Sequence, residues 1–261
     1  HKTVDVAAPI EPTPGPTLSW AVGMTTVPSR LAMFSATLDS VIRAGFPPPW
    51  VCVDGEDGNG WTEFDGRVRG VTVRSQPART AGNWMLTLTE LWVRSPLADR
   101  YGVFQDDFVF CSRVREYLDA VPYPADGYLN LYTFPSNHAA SLRKIKLPAP
   151  ADDYRGFYRA NQLGKGAVAL VFDRRAARTI LTSEYLADRF MDPDRGHRAV
   201  DGGIVEAFKA KGITEYVHFP SLTQHVGVVS SMGNRPHIQA PSFPGEGFDA
   251  TTLLPRGTVK N

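Results

Sequence analysis

Tyr101-Gly-Val-Phe-Gln-Asp-Asp-Phe-Val-Phe110 decides how this chain is read. Its apolar residues predict a buried strand, and an apolar strand broken by two adjacent acids presents those acids at a functional edge. Neighbouring carboxylates repel, and desolvation raises their pKa values. Asp106 and Asp107 are therefore costly unless a cation holds both ionised. Mg2+ or Mn2+ supplies such a cation, because few hard oxygen ligands, with positions left open, suit a metal that also binds a substrate diphosphate. The competing reading is a turn or a helix cap, where aspartate is equally favoured.

Outward from this stretch the pattern alternates. An apolar run at residues 18–24 precedes a helical spacing of Leu31, Phe34, Leu38, Val41 and Ile42, stopped by Gly45 and three prolines. Residues 50–54 and 71–74 read as strands, and a helix with Trp84, Leu88, Leu91 and Trp92 on one side follows. Further strands are expected at 128–133, 167–172 and 215–219, with helices at 174–186 and 200–211. Strands alternating with helices imply an α/β domain whose mostly parallel sheet is covered on both faces and binds ligands beyond the carboxyl ends of its strands.

The chain has 261 residues, 43% hydrophobic, which is enough for one such domain with a sizeable core. Lys+Arg 28 against Asp+Glu 27 leaves no global field to attract a polyanion. Cys52 and Cys111 lie in apolar runs and read as buried free thiols, which excludes a disulfide scaffold and favours a reducing, cytoplasmic location. No apolar stretch approaches the roughly 20 residues of a membrane span, and no signal peptide is legible, so a soluble protein is expected. No repeat with a period of about 20–50 residues is present, against a solenoid or propeller. Residues 1–17, rich in proline, read as a disordered or tag-derived segment, residues 18–235 as the catalytic domain, and residues 236–261 as a surface tail.

Four other segments carry chemistry. Thr25-Thr-Val-Pro-Ser-Arg30 leads straight into a helix, where the hydroxyls of Thr25 and Thr26, the turn at Pro28 and the guanidinium of Arg30 can receive uracil, ribose or phosphate, while Ser29 can equally be a helix cap. Asp54 ends a strand and can accept from ribose or base; Gly82 allows close approach at the next helix, and Asn83 offers a two-way amide, with a purely structural role open for each. Asp201, followed by two glycines, can deprotonate an acceptor hydroxyl or cap a helix. His225 follows a strand end that can face the acids, and Ser230 and Ser231 offer hydroxyls for phosphate; the bland alternative is a core histidine. Residues 138–165 interleave basic and aromatic side chains, as an acceptor grip or as a solvated loop.

Together Thr25-Thr-Val-Pro-Ser-Arg30, Thr37-Leu-Asp-Ser-Val41, Gln105-Asp-Asp107, Gly166-Ala-Val-Ala-Leu-Val-Phe-Asp-Arg-Arg175, Val200-Asp-Gly-Gly203 and Gln224-His-Val-Gly-Val-Val-Ser-Ser231 resemble the nucleotide-sugar glycosyltransferases of the GT-A fold. The last segment looks most like the N-acetylglucosaminyltransferase IV family. The resemblance implies a GT-A-type, Rossmann-like sheet and Asp106 and Asp107 as the metal motif, with Asp107 coordinating directly. It also implies His225 as a further metal or diphosphate contact, and Asp201 as the base. Gln105 departs from the acid common at its position, which puts ribose contact there in doubt, and the Golgi enzymes' anchor and acceptor are not carried over.

The expected activity is metal-dependent transfer of a sugar from a nucleoside diphosphate, a UDP-sugar above all, to an acceptor hydroxyl with inversion. The acceptor is a saccharide or another hydroxyl-bearing polymer, hydroxymethylated DNA included. A nucleotidyltransferase and a non-catalytic sugar-nucleotide-binding module are the alternatives of other classes.

Overall fold

Residues 17–56, 61–64, 66–190, 200–226 and 238–255 are described by a computed structural model. Strand β1 (Trp20–Thr26) is buried along nearly its whole length. Its alternate residues serve two cores: Trp20, Val22 and Met24 join one and Ala21 the other. A short 3-10 turn (Pro28–Arg30) leads into α1 (Leu31–Arg43), which lays Phe34, Leu38 and Val41 on the first core. That spacing is one helical stripe, and burying each such side chain contributes about 1.5–3 kcal/mol.

β2 (Trp50–Asp54) and β3 (Gly70–Arg74) extend the sheet in parallel on one side of β1, and β4 (Arg100–Phe104) pairs in parallel on the other. Helix α2 (Arg79–Arg94) covers the second core with Trp84, Leu88 and Leu91. It can approach β1 because residue 23 is glycine: a Cβ there would lie 2.6 Å from Thr87 Cγ2. The chain continues through β5 (Phe108–Phe110), α3 (Val114–Ala120), β6 (Gly127–Asn130), α4 (Ala139–Lys144), β7 (Gly156–Arg159), β8 (Ala169–Asp173), α5 (Arg174–Leu181), α6 (Glu184–Phe190), α7 (Val200–Lys209), β9 (Thr214–Phe219) and β10 (Thr223–His225).

Among the described residues, eight strands form the main sheet in the order β3-β2-β1-β4-β8-β6-β9-β7. β8 is antiparallel to both its neighbours and β7 to β9, while the other pairs are parallel. The chain is thus a single α/β domain with a mostly parallel, mixed sheet between helices, as its alternation implies.

Some boundaries differ from the sequence expectation for identifiable reasons. The strand expected across residues 101–110 divides, because the acids leave the sheet and β5 pairs instead with β10 in a two-stranded antiparallel ribbon. The helix expected at 174–186 also divides. Asp173 caps α5 by accepting from the Ala176 N–H at 2.7 Å, Thr182 ends it, and Ser183 Oγ accepts from the Leu186 N–H at 3.4 Å to open α6. Residues 138–165 hold α4 and β7 rather than only a loop. In the C-terminal segment, Ala240 and Ala250 are buried and Phe243 and Phe248 pack on the first core, so residues 238–255 dock onto the domain. Residues 1–16 lie outside the described residues. Cys52 and Cys111 are buried and unbridged. Among the described residues no helix is long and apolar enough to cross a membrane.

Candidate active site

The parallel strands β1, β2 and β4 all point their carboxyl ends to one edge, where Thr26, Asp54 and the Gln105-Asp106-Asp107 turn emerge. Asp106 and Asp107 are 3% and 2% exposed, so both carboxylates are desolvated side by side. The cation that this arrangement demands is supplied in part by the chain itself. Arg30 Nη1 donates to Asp106 Oδ1 at 2.5 Å and Nη2 to Asp107 Oδ2 at 3.1 Å. One planar guanidinium therefore straddles both acids, with its side chain 15% exposed. Thr26 Oγ1 donates to Asp106 Oδ2 at 2.6 Å, and Thr37 of α1 donates to the Asp106 backbone carbonyl at 2.8 Å. Burial pushes the Asp106 carboxyl up to about 6, with Arg30 opposing it.

The ribbon of β5 and β10 brings His225 to the same place. His225 pairs with Phe108, and the Val226 N–H donates to the Asp107 carbonyl at 3.0 Å. His225 Nδ1 lies 3.7 Å from Asp107 Oδ1, beyond hydrogen-bond range. A carboxylate oxygen and an imidazole nitrogen carried on two elements are a suitable donor pair for a divalent ion such as Mn2+. Among the described residues no group of three or more His, Cys, Asp or Glu side chains is arranged to hold a metal. Two protein donors of this kind could hold a divalent ion only together with oxygens supplied from outside the chain.

Asp201 is linked to this edge through intervening residues. Its Oδ2 accepts from the Gly166 N–H at 2.6 Å. Gly166 adopts a φ of +76°, and a Cβ there would lie 2.3 Å from the Tyr132 ring. The Tyr132 ring in turn stands edge-on to His225 at 5.7 Å. On the other flank the Gln105 backbone N–H donates to the Val168 carbonyl at 2.8 Å, and Gln105 Nε2 donates to the Ala167 carbonyl at 3.1 Å. Residues 166–168 therefore join the acid pair to Asp201. Burial raises the Asp201 pKa, against the N–H groups of Gly166 and Ala167. Beside it, a Cβ on Gly202 would meet nothing within 4 Å, so that flank of α7 faces open space while the Asp201 carboxylate itself is buried.

The remaining expected residues take varied places. Thr25 Oγ1 donates to the Phe104 carbonyl at 3.4 Å, bracing β1 against β4. Pro28 opens the turn, and its ring lies 3.6 Å from where a Gly55 Cβ would be, so the loops after β1 and β2 touch. Asp54 Oδ1 accepts from the Ala78 N–H at 2.6 Å, just ahead of α2. Gly82 and Asn83 are buried within α2. The Asn83 amide is taken up at both ends, donating to the Cys52 carbonyl at 3.0 Å and accepting from Arg74 Nε at 2.9 Å. Ser230 and Ser231 lie outside the described residues. In the basic segment, Arg143 pairs with Asp152, Arg155 lies over Phe219 and Lys165 over Phe134, so three of its cations have partners within the domain.

Sequence reasoning missed Asn130, Tyr132 and Glu215. Asn130 Nδ2 donates to Glu215 Oε1 at 3.0 Å and reaches the Lys165 carbonyl at 3.4 Å, while its Oδ1 accepts from the Tyr132 N–H at 3.1 Å. Glu215 is 2% exposed, and burial pushes its carboxyl up to about 7, with the Asp201 charge acting in the same direction. This network lies beneath the loop that holds Asp201.

No family model and no curated protein matches the chain. Among solved structures it is similar to TarS of S. aureus, at TM-score 0.48 and 10% identity over 77% of this chain and 36% of that one, so it spans about a third of the length of TarS. A putative glucose-1-phosphate thymidylyltransferase from Bacillus anthracis aligns at TM-score 0.47 and 12% identity, covering 79% of this chain and 89% of that one. The galactosyltransferase LgtC, solved with donor and acceptor sugar analogues, aligns at TM-score 0.42 and 11% identity, covering 75% and 72%.

Proposed function

We propose that the chain is an enzyme that uses nucleotide sugars, built on a GT-A-type sheet. Within that class, the reading favoured is a metal-assisted glycosyltransferase that moves a sugar from a UDP-sugar to an acceptor hydroxyl. The observation that carries it is the pair of buried carboxylates at the sheet's carboxyl edge, with His225 beside one of them and Asp201 joined to them through residues 166–168.

Asp107 and His225 are the side chains that would hold the divalent ion. When bound, that ion supplies positive charge against the departing nucleoside diphosphate. Arg30, at the end of the turn and forked onto Asp106 and Asp107, is the bidentate donor that would turn to the phosphates. Asp201 accepts the proton of the acceptor hydroxyl as its oxygen attacks the anomeric carbon and the bond from that carbon to the phosphate oxygen breaks. A base whose pKa is raised toward the working pH is more effective in this role. The Gly166 N–H fixes one oxygen of Asp201. A lone base opposite the leaving group gives a single displacement with inversion.

A thermal-shift screen of UDP-, GDP- and TDP-sugars with and without Mn2+ tests the donor, since a ligand bound only to the folded state raises Tm. The reading expects a UDP-sugar to act strongly only with Mn2+. No response to any sugar nucleotide, with or without the metal, refutes it. Anomer-resolved NMR of the product tests inversion, and release of pyrophosphate from a nucleoside triphosphate and a sugar phosphate would instead mark a nucleotidyltransferase.

A further inference from the structure

The guanidinium of Arg30 stands on Asp106 Oδ1 and Asp107 Oδ2, one oxygen from each acid. Those are groups that a divalent ion at this edge would draw on for charge. The two carboxylates are 4% and 3% exposed in their side chains and Arg30 15%, so the three charges interact with little solvent between them. A second cation entering this space meets the first. It must displace Arg30 or share the acids with it, and a guanidinium lifted from two carboxylates without a new acceptor is left desolvated and unpaired. A diphosphate removes that obstacle. Its oxygens match the fork of Arg30 as a carboxylate does, so the guanidinium can exchange one anion for another.

We propose that Arg30 is a resident counter-ion that keeps divalent metal off the acid pair until a nucleoside diphosphate draws it away, so that metal and donor bind with positive coupling through this one side chain. The inference rests on the donor reading above and adds an order of events to it. Coupling of this kind is reciprocal: the diphosphate tightens the metal by the same factor as the metal tightens the diphosphate.

The experiment is Mn2+ binding to the metal-free protein, measured by calorimetry and by the Mn2+ EPR signal, with and without UDP and with no turnover involved. In the wild type, saturating UDP raises Mn2+ affinity by about tenfold or more, within the usual range for coupled sites. Arg30→Gln binds Mn2+ alone more tightly than the wild type by a similar factor, and its coupling to UDP shrinks. Arg30→Lys, which keeps the charge but loses the fork, falls between the two. Asp107→Asn serves as the control that removes the metal in every background.

Equal Mn2+ affinity in wild type and Arg30→Gln, with binding still lost in Asp107→Asn, overturns the counter-ion role while leaving the metal site standing. Absence of Mn2+ binding in every variant, with or without UDP, overturns the donor reading and this inference together. If Arg30→Gln does not fold without metal, Arg30→Lys decides: Mn2+ affinity and UDP coupling equal to the wild type refute the proposal.

Discussion

Glu215→Gln isolates the buried network beneath Asp201. Glu215 sits on β9 with 2% exposure, and burial pushes its pKa from 4.5 to about 7. Below about pH 4.5 the side chain is protonated in the folded and unfolded states alike, so it adds nothing to the pH dependence. Between that value and about 7 the unfolded chain releases its proton first, and stability falls as pH rises; above about 7 both states are ionised and the loss levels off. A shift from 4.5 to about 7 at roughly 1.36 kcal/mol per unit gives a total loss of about 3 kcal/mol. Glutamine keeps the shape and can still accept from Asn130, but it has no proton to lose. The assay is urea unfolding of both proteins in buffers from about pH 4 to about pH 9. Any fixed cost of the substitution moves the whole curve, so the difference in slope is the signature. Asp106, whose pKa is also raised, contributes to the slope in both proteins and largely cancels in the difference, whereas Asp201, whose charge bears on Glu215, adds to that difference in the same direction. The variant gains on the wild type across the window from about 4.5 to about 7 and reaches its full advantage near pH 8. Parallel curves would refute the reasoning, because they would mean that Glu215 titrates alike in both states.

Three further outcomes follow from the same geometry. Asp201→Asn keeps an acceptor for the Gly166 N–H, so it folds, but kcat falls by about 10²–10⁴ with little change in KM; wild-type kcat/KM declines as pH drops through a value above the ordinary carboxylate range, and the variant's residual rate lacks that limb. Gly166→Ala places a Cβ 2.3 Å from the Tyr132 ring at a φ of +76°, which costs about 1–3 kcal/mol of stability in denaturant melts and lowers kcat by shifting the loop that fixes Asp201; a variant of wild-type stability and rate would contradict the close contact. Gly202→Ala meets nothing within 4 Å, so it stabilises α7 by about 0.5–1 kcal/mol in denaturant melts; a destabilised variant would contradict the open space at that position.

The sequence made the fold class and the cost of the acid pair legible, and for physical reasons left other parts hidden. Repulsion between Asp106 and Asp107 announces a need for positive charge whatever the fold. That part of the charge comes from Arg30, at a separation of 76 residues, is a property of how β1 and β4 lie side by side. The direction of β8 was equally unreadable, since an apolar run such as Ala169–Asp173 is compatible with either orientation. β7 and β10 are four and three residues long, too short to show a period. Glu215 carried a faint signal, an acid inside the apolar pattern of β9, whereas Asn130 became meaningful only when β6 was set beside β9. The Asn83 amide shows the converse: a polar side chain at a helix start looked available, yet the fold closes it between Cys52 and Arg74.

The central claim, that this acidic edge binds an activated sugar through a divalent ion, is tested most directly by crystals grown with Mn2+ and UDP and measured for the anomalous signal of manganese. The account expects one peak within ligand distance of Asp107 and His225, bridging to the diphosphate, with Arg30 turned onto the phosphates. Nucleotide bound elsewhere, or an acid pair still held by Arg30 with no peak beside it, would contradict the account.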